Sequence, residues 1–169
     1  YIVVFPWLPK HFKKSTTDFH GAEVELDFAV DQPIERVAIA VDFSTTDAKL
    51  IKVALQQVVK ENAMIHIIHV VESATAKYHQ DASDDEESRK DQQRLELYAN
   101  AIRKNGYQVT THLGYQKRVK EIVRIVEAEQ AQLLVMGSHS HKGIKDFLFG
   151  ETIESVRHAV TIPVLVVNR

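Results

Sequence analysis

Short apolar runs alternate with longer amphipathic stretches from about residue 36 to the end of the chain. Residues 37–41 are apolar at every position, which is typical of a strand buried on both faces. The other apolar runs also have the length of strands. The predicted strands are residues 37–41, 64–71, 107–113, 133–136 and 164–167. We expect the third strand to lie nearer an edge because it alternates, and the last strand to lie at an edge.

The stretches between these strands carry apolar residues at helical spacing. In the first stretch, Ala48, Ile51, Leu55 and Val58 are expected to form the buried face. The acidic run over residues 73–88 is expected to be a solvated loop. The predicted helices lie near residues 48–58, 89–105, 119–126 and 152–159. Strands that alternate with helices predict βαβ units, and therefore an α/β fold with a mostly parallel sheet and helices on both faces.

The first 33 residues follow a different pattern. Apolar and polar residues alternate over 24–30, which is the period-two pattern of a strand, and Pro33 ends the segment. We therefore predict an N-terminal extension over residues 1–33 and a main domain over residues 34–169.

Residues 1–8 are almost wholly apolar and include Trp7, and Lys10, Lys13 and Lys14 follow directly. This order is typical of a transmembrane helix where it leaves the membrane on the cytoplasmic side. One interpretation is that a membrane domain precedes Tyr1. The alternative is a short strand or loop packed on the domain.

Composition narrows the class of protein. The chain has 169 residues, which suits one main domain, and 44% of them are hydrophobic, enough for an ordinary core. Its formal net charge of −2 argues against a dedicated nucleic-acid-binding protein. The absence of cysteine excludes disulfides and cysteine-bound zinc, and it fits a cytoplasmic location.

Two loops are candidates for a ligand site before any family is considered. In open α/β sheets, ligands bind beyond the carboxyl ends of the strands, where the strand order reverses. The loop at residues 42–46 follows the first predicted strand, and the loop at 137–150 follows the fourth. A ligand site is therefore expected between them.

Four segments carry a resemblance to a known family: residues 40–44, 136–139, 147–150 and 162–167. In this order and spacing, the chain from about residue 36 to 169 resembles the universal stress protein family. The resemblance implies a doubly wound, Rossmann-like, five-stranded parallel sheet of the adenine nucleotide alpha hydrolase-like type. It also implies a nucleotide-binding regulatory module without robust enzymatic turnover, and a homodimer.

The same resemblance predicts weakened ATP binding. ATP-binding members carry a glycine, two residues, a second glycine, nine residues, and a third glycine followed by Ser or Thr. This chain keeps Gly137 and Gly150, but Ser140 stands at the middle glycine and Glu151 at the hydroxyl position. The Ser140 side chain obstructs close backbone approach, and the Glu151 carboxylate would face phosphate oxygens.

The nucleoside half of the family's site is better preserved. By the resemblance, Asp42 meets the nucleoside, Ala40 and Val41 line the base, and Val70 or Val71 and Met136 close the site. The alternatives are plain core for the apolar residues and a helix cap for Asp42. The predicted nucleotide-binding residues are Ala40, Val41, Asp42, Ser44, Val70, Met136, Gly137, His139, Ser140, Gly150, Glu151 and Thr152.

Metal binding and catalysis are weaker hypotheses. His139 and His141, with Glu151 or Asp146, offer ligand types that suit a transition metal, but their spacing is loose and no metal is predicted. The chain contains no Gly-Lys-Ser/Thr sequence and no assignable nucleophile and base. A slow ATPase or nucleotide hydrolase that uses the same crevice is the enzymatic alternative.

Two partners are predicted. The apolar edge strand formed by Val164, Leu165, Val166 and Val167 is expected to pair with its own copy, because an uncovered apolar edge is prone to aggregation. Alternatively, the N-terminal strand covers that edge. Some Nramp-like metal-ion transporters and cation antiporters carry such a domain at the cytoplasmic C-terminus, so a regulatory domain of a membrane transporter is the alternative function.

Overall fold

The computed structural model describes residues 33–71, 86–115, 117–138 and 151–168. The strands are β1 (Arg36–Ala40), β2 (Met64–Val70), β3 (Gln108–Gly114), β4 (Leu133–Ser138) and β5 (Val164–Asn168). The helices are α1 (Asp47–Leu55), α2 (Glu86–Lys104), α3 (Arg118–Ala128) and α4 (Glu151–Ala159). A short 3₁₀ helix, Lys60–Asn62, precedes β2. Each predicted strand is present to within two residues of its expected ends.

The described strands form one sheet in the order β3-β2-β1-β4-β5. All four neighbouring pairs are parallel. The predicted five-stranded parallel fold is therefore confirmed, with β3 and β5 at its two edges as expected. Because the chain moves from β1 to β2 and β3 on one side and to β4 and β5 on the other, the strand order reverses between β1 and β4.

Helices cover both faces of this sheet, as the alternation of elements predicts. On one face, α1 and α2 pack on the sheet through Leu50, Ala54, Leu95, Ala99 and Ile102. On the other face, α3 and α4 pack through Ile122, Ile125, Val126, Ile153 and Val156. The central strand β1 therefore has helices on both sides, and Val37, Ala38 and Ile39 are wholly buried. Their burial explains why this strand is apolar at every position.

Helix α1 corrects one prediction. Its buried residues are Asp47, Leu50 and Ala54, whereas Ala48 is exposed. Ile51, Leu55 and Val58 are partly buried and pack against the core as predicted, so only Ala48 is misplaced, and Asp47 is buried beside it instead. Thr46 stands at the N-cap position, but its side chain makes no capping hydrogen bond.

Helix α2 also begins earlier than predicted. It begins at Glu86, inside the acidic run that was expected to be a loop to residue 88. Glu86 and Glu87 lie in its first turn, where negative charge is stabilised by the helix dipole.

Two predictions lie outside the described residues, namely the strand over 24–30 and the juxtamembrane interpretation of residues 1–14, and the domain boundary at residue 33 is not tested. They stay predictions. Within the described ranges, no helix combines the length and apolar character that crossing a bilayer requires.

Candidate functional site

A cavity of about 310 Å³ opens at the carboxyl ends of β1, β2 and β4, where the strand order reverses. This is the position where ligands bind in open α/β sheets. Among the described residues, those that line it are Ala40, Val41, Asp42, Asp47, Ile68, His69, Val70, Arg118, Ile122, Met136, Gly137, Glu151, Thr152 and Ile153.

Most of the predicted site residues that can be located meet at this cavity. They are Ala40, Val41, Asp42, Val70, Met136, Gly137, Glu151 and Thr152. Ser44 is absent from the described lining, and its hydroxyl lies 2.6 Å from Thr46 Oγ1. His139, Ser140, His141, Asp146 and Gly150 lie outside the described residues.

The walls of the cavity are apolar because side chains of the hydrophobic core line them. Val41, Val70 and Met136 are buried, and they come from the ends of β1, β2 and β4. Ile122 of α3 and Ile153 of α4 close the same space. An apolar cavity of this size with a few polar groups at its rim is typical of a binding site for a small molecule or cofactor.

The turn after β1 fixes Asp42 at the rim. Val41 continues the ladder by donating its N–H to the Ile68 carbonyl at 2.9 Å. The next turn places Phe43 at φ 58°, a left-handed conformation that is costly for an aromatic residue. Packing offsets that cost, since the Phe43 ring lies 4.2 Å from the His69 ring, centroid to centroid. The Ser44 N–H donates to Asp42 Oδ1 at 3.2 Å, which orients the carboxylate.

Asp47 is an acidic residue that is buried beside the cavity. Asp47 is only 2% exposed, and Tyr98 Oη donates to its Oδ2 at 3.3 Å. Burial, and then the neighbouring Asp42 carboxylate, raise the pKa of Asp47 to about 6. The pKa of Tyr98 is raised by burial and by the charge of Asp47. When Asp47 is protonated, its carboxyl shares a hydrogen bond with Asp42. Ionising both carboxyls at once is therefore unfavourable.

The described part of the cavity is rich in negative charge. Asp42, Asp47 and Glu151 are acidic, and Arg118 is the basic residue in the described lining. Glu151 begins α4, so its carboxylate occupies the helix N-terminus, a place that otherwise favours a phosphate. An electrically neutral group enters such a cavity more readily than a highly charged anion.

Several lining residues were not predicted from the sequence. They are Asp47, Ile68, His69, Arg118, Ile122 and Ile153. The apolar ones could be named only once the structure shows which element ends face the point where the strand order reverses. Asp47 and Arg118 are charged residues directly before two of the predicted helices, where charge ordinarily indicates a solvated position, and the sequence carries no signal that distinguishes them.

Comparisons with known proteins agree with this fold. A universal stress protein of Methanocaldococcus jannaschii is 42% identical over 50 residues, which span 30% of this chain and 31% of that protein. The fold is similar to a universal stress protein from Archaeoglobus fulgidus in complex with dAMP, with TM-score 0.59, 17% identity, and coverage of 80% of this chain and 98% of the other.

A second structure, a universal stress protein in complex with cAMP, has TM-score 0.59 and 18% identity, and the match covers 81% of this chain and 98% of that one. The sequence profile of the Universal stress protein family matches residues 33–168. Because this match covers most of the sequence, the chain belongs to the universal stress protein family.

Proposed function

We propose that this domain is a regulatory module that binds the adenosine part of a nucleotide carrying a single phosphate. The observation that carries the proposal is the cavity itself. Its walls are apolar, and its described lining residues include three carboxylates and one guanidinium. The apolar walls suit a base. The excess of negative charge disfavours a long phosphate chain.

The residues have separate roles in this proposal. Ala40, Val41 and Met136 contact the base, and the Asp42 carboxylate accepts hydrogen bonds from ribose hydroxyls. Arg118 supplies the positive charge for one phosphate. The complexes of fold relatives with dAMP and cAMP support this choice, because each of those ligands carries one phosphate.

ATP is expected to bind weakly, with no Kd tighter than about 100 μM, equivalent to roughly −5.5 kcal/mol. The extra phosphates would meet Glu151, and like charges a few ångströms apart repel by about 1 kcal/mol or more. AMP should therefore bind at least about fivefold more tightly than ATP. Isothermal titration of both nucleotides with the purified chain tests this, and submicromolar ATP binding would refute it.

The double change Ser140→Gly with Glu151→Ser should improve ATP affinity, because it restores a close backbone approach and a hydroxyl at the helix start. Glu154→Ser is the matched control. Glu154 lies in the same helix, but it pairs with Arg157 and His158 and does not line the cavity. Its loss should leave the ratio of AMP to ATP affinity unchanged.

Asp42→Ala is expected to weaken AMP by about 1–3 kcal/mol, the range for losing a charged hydrogen-bond partner. Titration of AMP into the variant measures this loss directly. Thr45→Ala serves as a control, since Thr45 is exposed in the same turn and does not line the cavity. Unchanged AMP affinity in Asp42→Ala would place the ligand elsewhere.

Binding rather than turnover is the role we propose. A triphosphate that the cavity does not hold cannot be hydrolysed there, so the slow hydrolase is disfavoured by the same carboxylates. Incubation with radiolabelled ATP and Mg²⁺ or Mn²⁺ tests the alternative. Release of labelled phosphate that Asp42→Ala abolishes would establish the enzyme instead.

A further inference from the structure

A second polar cluster lies on the face of the sheet that α3 covers. It consists of His66 of β2, His112 of β3 and Glu129, the residue that caps the carboxyl end of α3. One ligand atom from each of the three lies within 4.8 Å of the others. None of these residues lines the cavity described above. We refer to them as the His-His-Glu cluster.

The register of the sheet brings the cluster together. His66 pairs with Thr110, so the two histidines project from neighbouring strands two residues apart in register. His66 Nδ1 lies 3.5 Å from Glu129 Oε2, and His112 Nε2 lies 3.8 Å from Glu129 Oε1. Thr110 Oγ1 lies between the rings, 2.8 Å from His66 Nδ1 and 3.1 Å from His112 Nε2. The three ligand atoms are thus close to one another, and an ion bound by them would take the place of Thr110 Oγ1 at the two nitrogens.

Hydrogen bonding leaves two features of this cluster unexplained. His66 is buried, yet its Nε2 finds no hydrogen-bond partner among the described residues. Burying an imidazole with an unpaired nitrogen is costly. Glu129 places a carboxylate at the negative end of the α3 dipole, and no basic residue lies in the last turn of that helix. A cation bound between Glu129 and the histidines would offset the second cost.

We propose that the His-His-Glu cluster binds a divalent transition-metal ion, with Zn²⁺ as the best fit. Two imidazoles and one carboxylate form a known ligand set for zinc, with a fourth position left for water. Tetrahedral zinc with bonds of roughly 2.0–2.1 Å places its ligand atoms about 3.3 Å apart. The observed 3.5 and 3.8 Å separations are close to that spacing, and the three ligand atoms all lie within 4.8 Å of one another.

The surroundings of the cluster allow an ion to enter. The side chain of His66 is 4% exposed, but those of His112 and Glu129 are 20% and 34% exposed. The nearby cations are engaged elsewhere, since Arg36 Nε donates to the Gln130 carbonyl and Arg124 pairs with Glu121. Burial lowers the pKa of both histidines, which favours the neutral, metal-binding form.

Titration of the metal-free, untagged chain with Zn²⁺ and with Co²⁺ tests the proposal. We expect one high-affinity site per chain and visible Co²⁺ absorption bands of the intensity that tetrahedral coordination gives. Zn²⁺ should also raise the Tm, because an ion that binds only the folded state stabilises it. Absence of saturable Zn²⁺ binding, or of any Co²⁺ spectrum, would overturn the site.

Variants separate this site from the other histidines of the chain. His112→Ala and Glu129→Gln should each weaken Zn²⁺ by at least about tenfold, the minimum effect of losing even an outer partner of a metal site. Both residues are partly exposed, so either variant alone suffices if the other misfolds. His158→Gln is the control, because it removes an exposed histidine paired with Glu154 on α4. Zn²⁺ binding that survives both cluster variants, or that His158→Gln abolishes, would refute the assignment.

Discussion

Asp47→Asn is expected to stabilise the domain at neutral pH by an amount on the order of 2–3 kcal/mol. The cause is burial, which raises the pKa of this carboxyl from 3.8 to about 6, with the Asp42 charge adding to the effect. At pH 7 the folded protein must hold an ionised carboxylate in a site that disfavours it. The asparagine amide removes the charge and can still donate to Asp42 and accept from Tyr98.

The pH dependence of stability has a definite sign. The folded state keeps the Asp47 proton up to about pH 6, whereas the unfolded chain releases it near 3.8. Stability due to this group is therefore complete below pH 3.8 and is lost as the pH rises to about 6. Loss of a negative charge from the first turn of α1 opposes the gain, but this dipole effect is worth only about 0.3–1 kcal/mol.

Urea unfolding of the wild type and Asp47→Asn from about pH 4 to pH 8 measures the effect. The difference in unfolding free energy should grow up to about pH 6 and then stay constant. Glu87→Gln makes the same chemical change at an exposed first-turn residue of α2, and its effect should stay within about 0.5 kcal/mol. If the unfolding free energies of the wild type and Asp47→Asn change in parallel with pH, folding does not raise the pKa of Asp47.

The sheet was predictable because its strands are defined by one local property. Val37, Ala38 and Ile39 lie between two helix layers, so the sequence has no polar residue there. The edge positions of β3 and β5 followed from alternation and chain order. The burial of Asp47 in α1 was not predictable, because hydropathy assigns a charged residue to solvent. The contacts of Asp47 with Asp42 and Tyr98 exist only in the folded structure.

The candidate site likewise has a part that was predictable from the sequence and a part that was not. Its location follows from the rule that ligands bind where strand order reverses, and apolar wall residues such as Val41 and Met136 follow from the family resemblance. Its charges do not follow, since whether Arg118 faces the cavity or solvent depends on the rotation of α3 about its axis. The His-His-Glu cluster was missed for another reason. His66 and Glu129 are 63 residues apart in the chain, and only the packing of α3 on β2 brings them together.

Val166→Pro is expected to convert a homodimer formed through β5 into monomers without unfolding the domain. β5 is an edge strand of the described sheet, and Val164, Leu165 and Val166 are only partly buried. An apolar edge of this kind is prone to further pairing, and a two-fold axis lets two copies satisfy each other. We therefore propose that β5 pairs with its own copy.

The direction of the backbone groups selects the residue to change. The Pro163 carbonyl accepts from the Leu134 N–H at 3.1 Å, so it faces β4. Backbone groups alternate along an edge strand, and the N–H groups of Leu165 and Val167 therefore also face β4, whereas that of Val166 faces outward. Proline at Val166 removes a donor that only a partner strand can use, and proline is tolerated at such edge positions.

Val167→Pro is the matched comparison, because it removes a donor that the sheet itself uses. It should lower the Tm, whereas Val166→Pro should retain the wild-type circular dichroism spectrum and halve the mass measured by light scattering. Measurements at about 100 μM protein allow for the concentration dependence of assembly. A wild type that is monomeric at that concentration would rule out the β5 dimer. A dimer that survives Val166→Pro would place the interface on another surface.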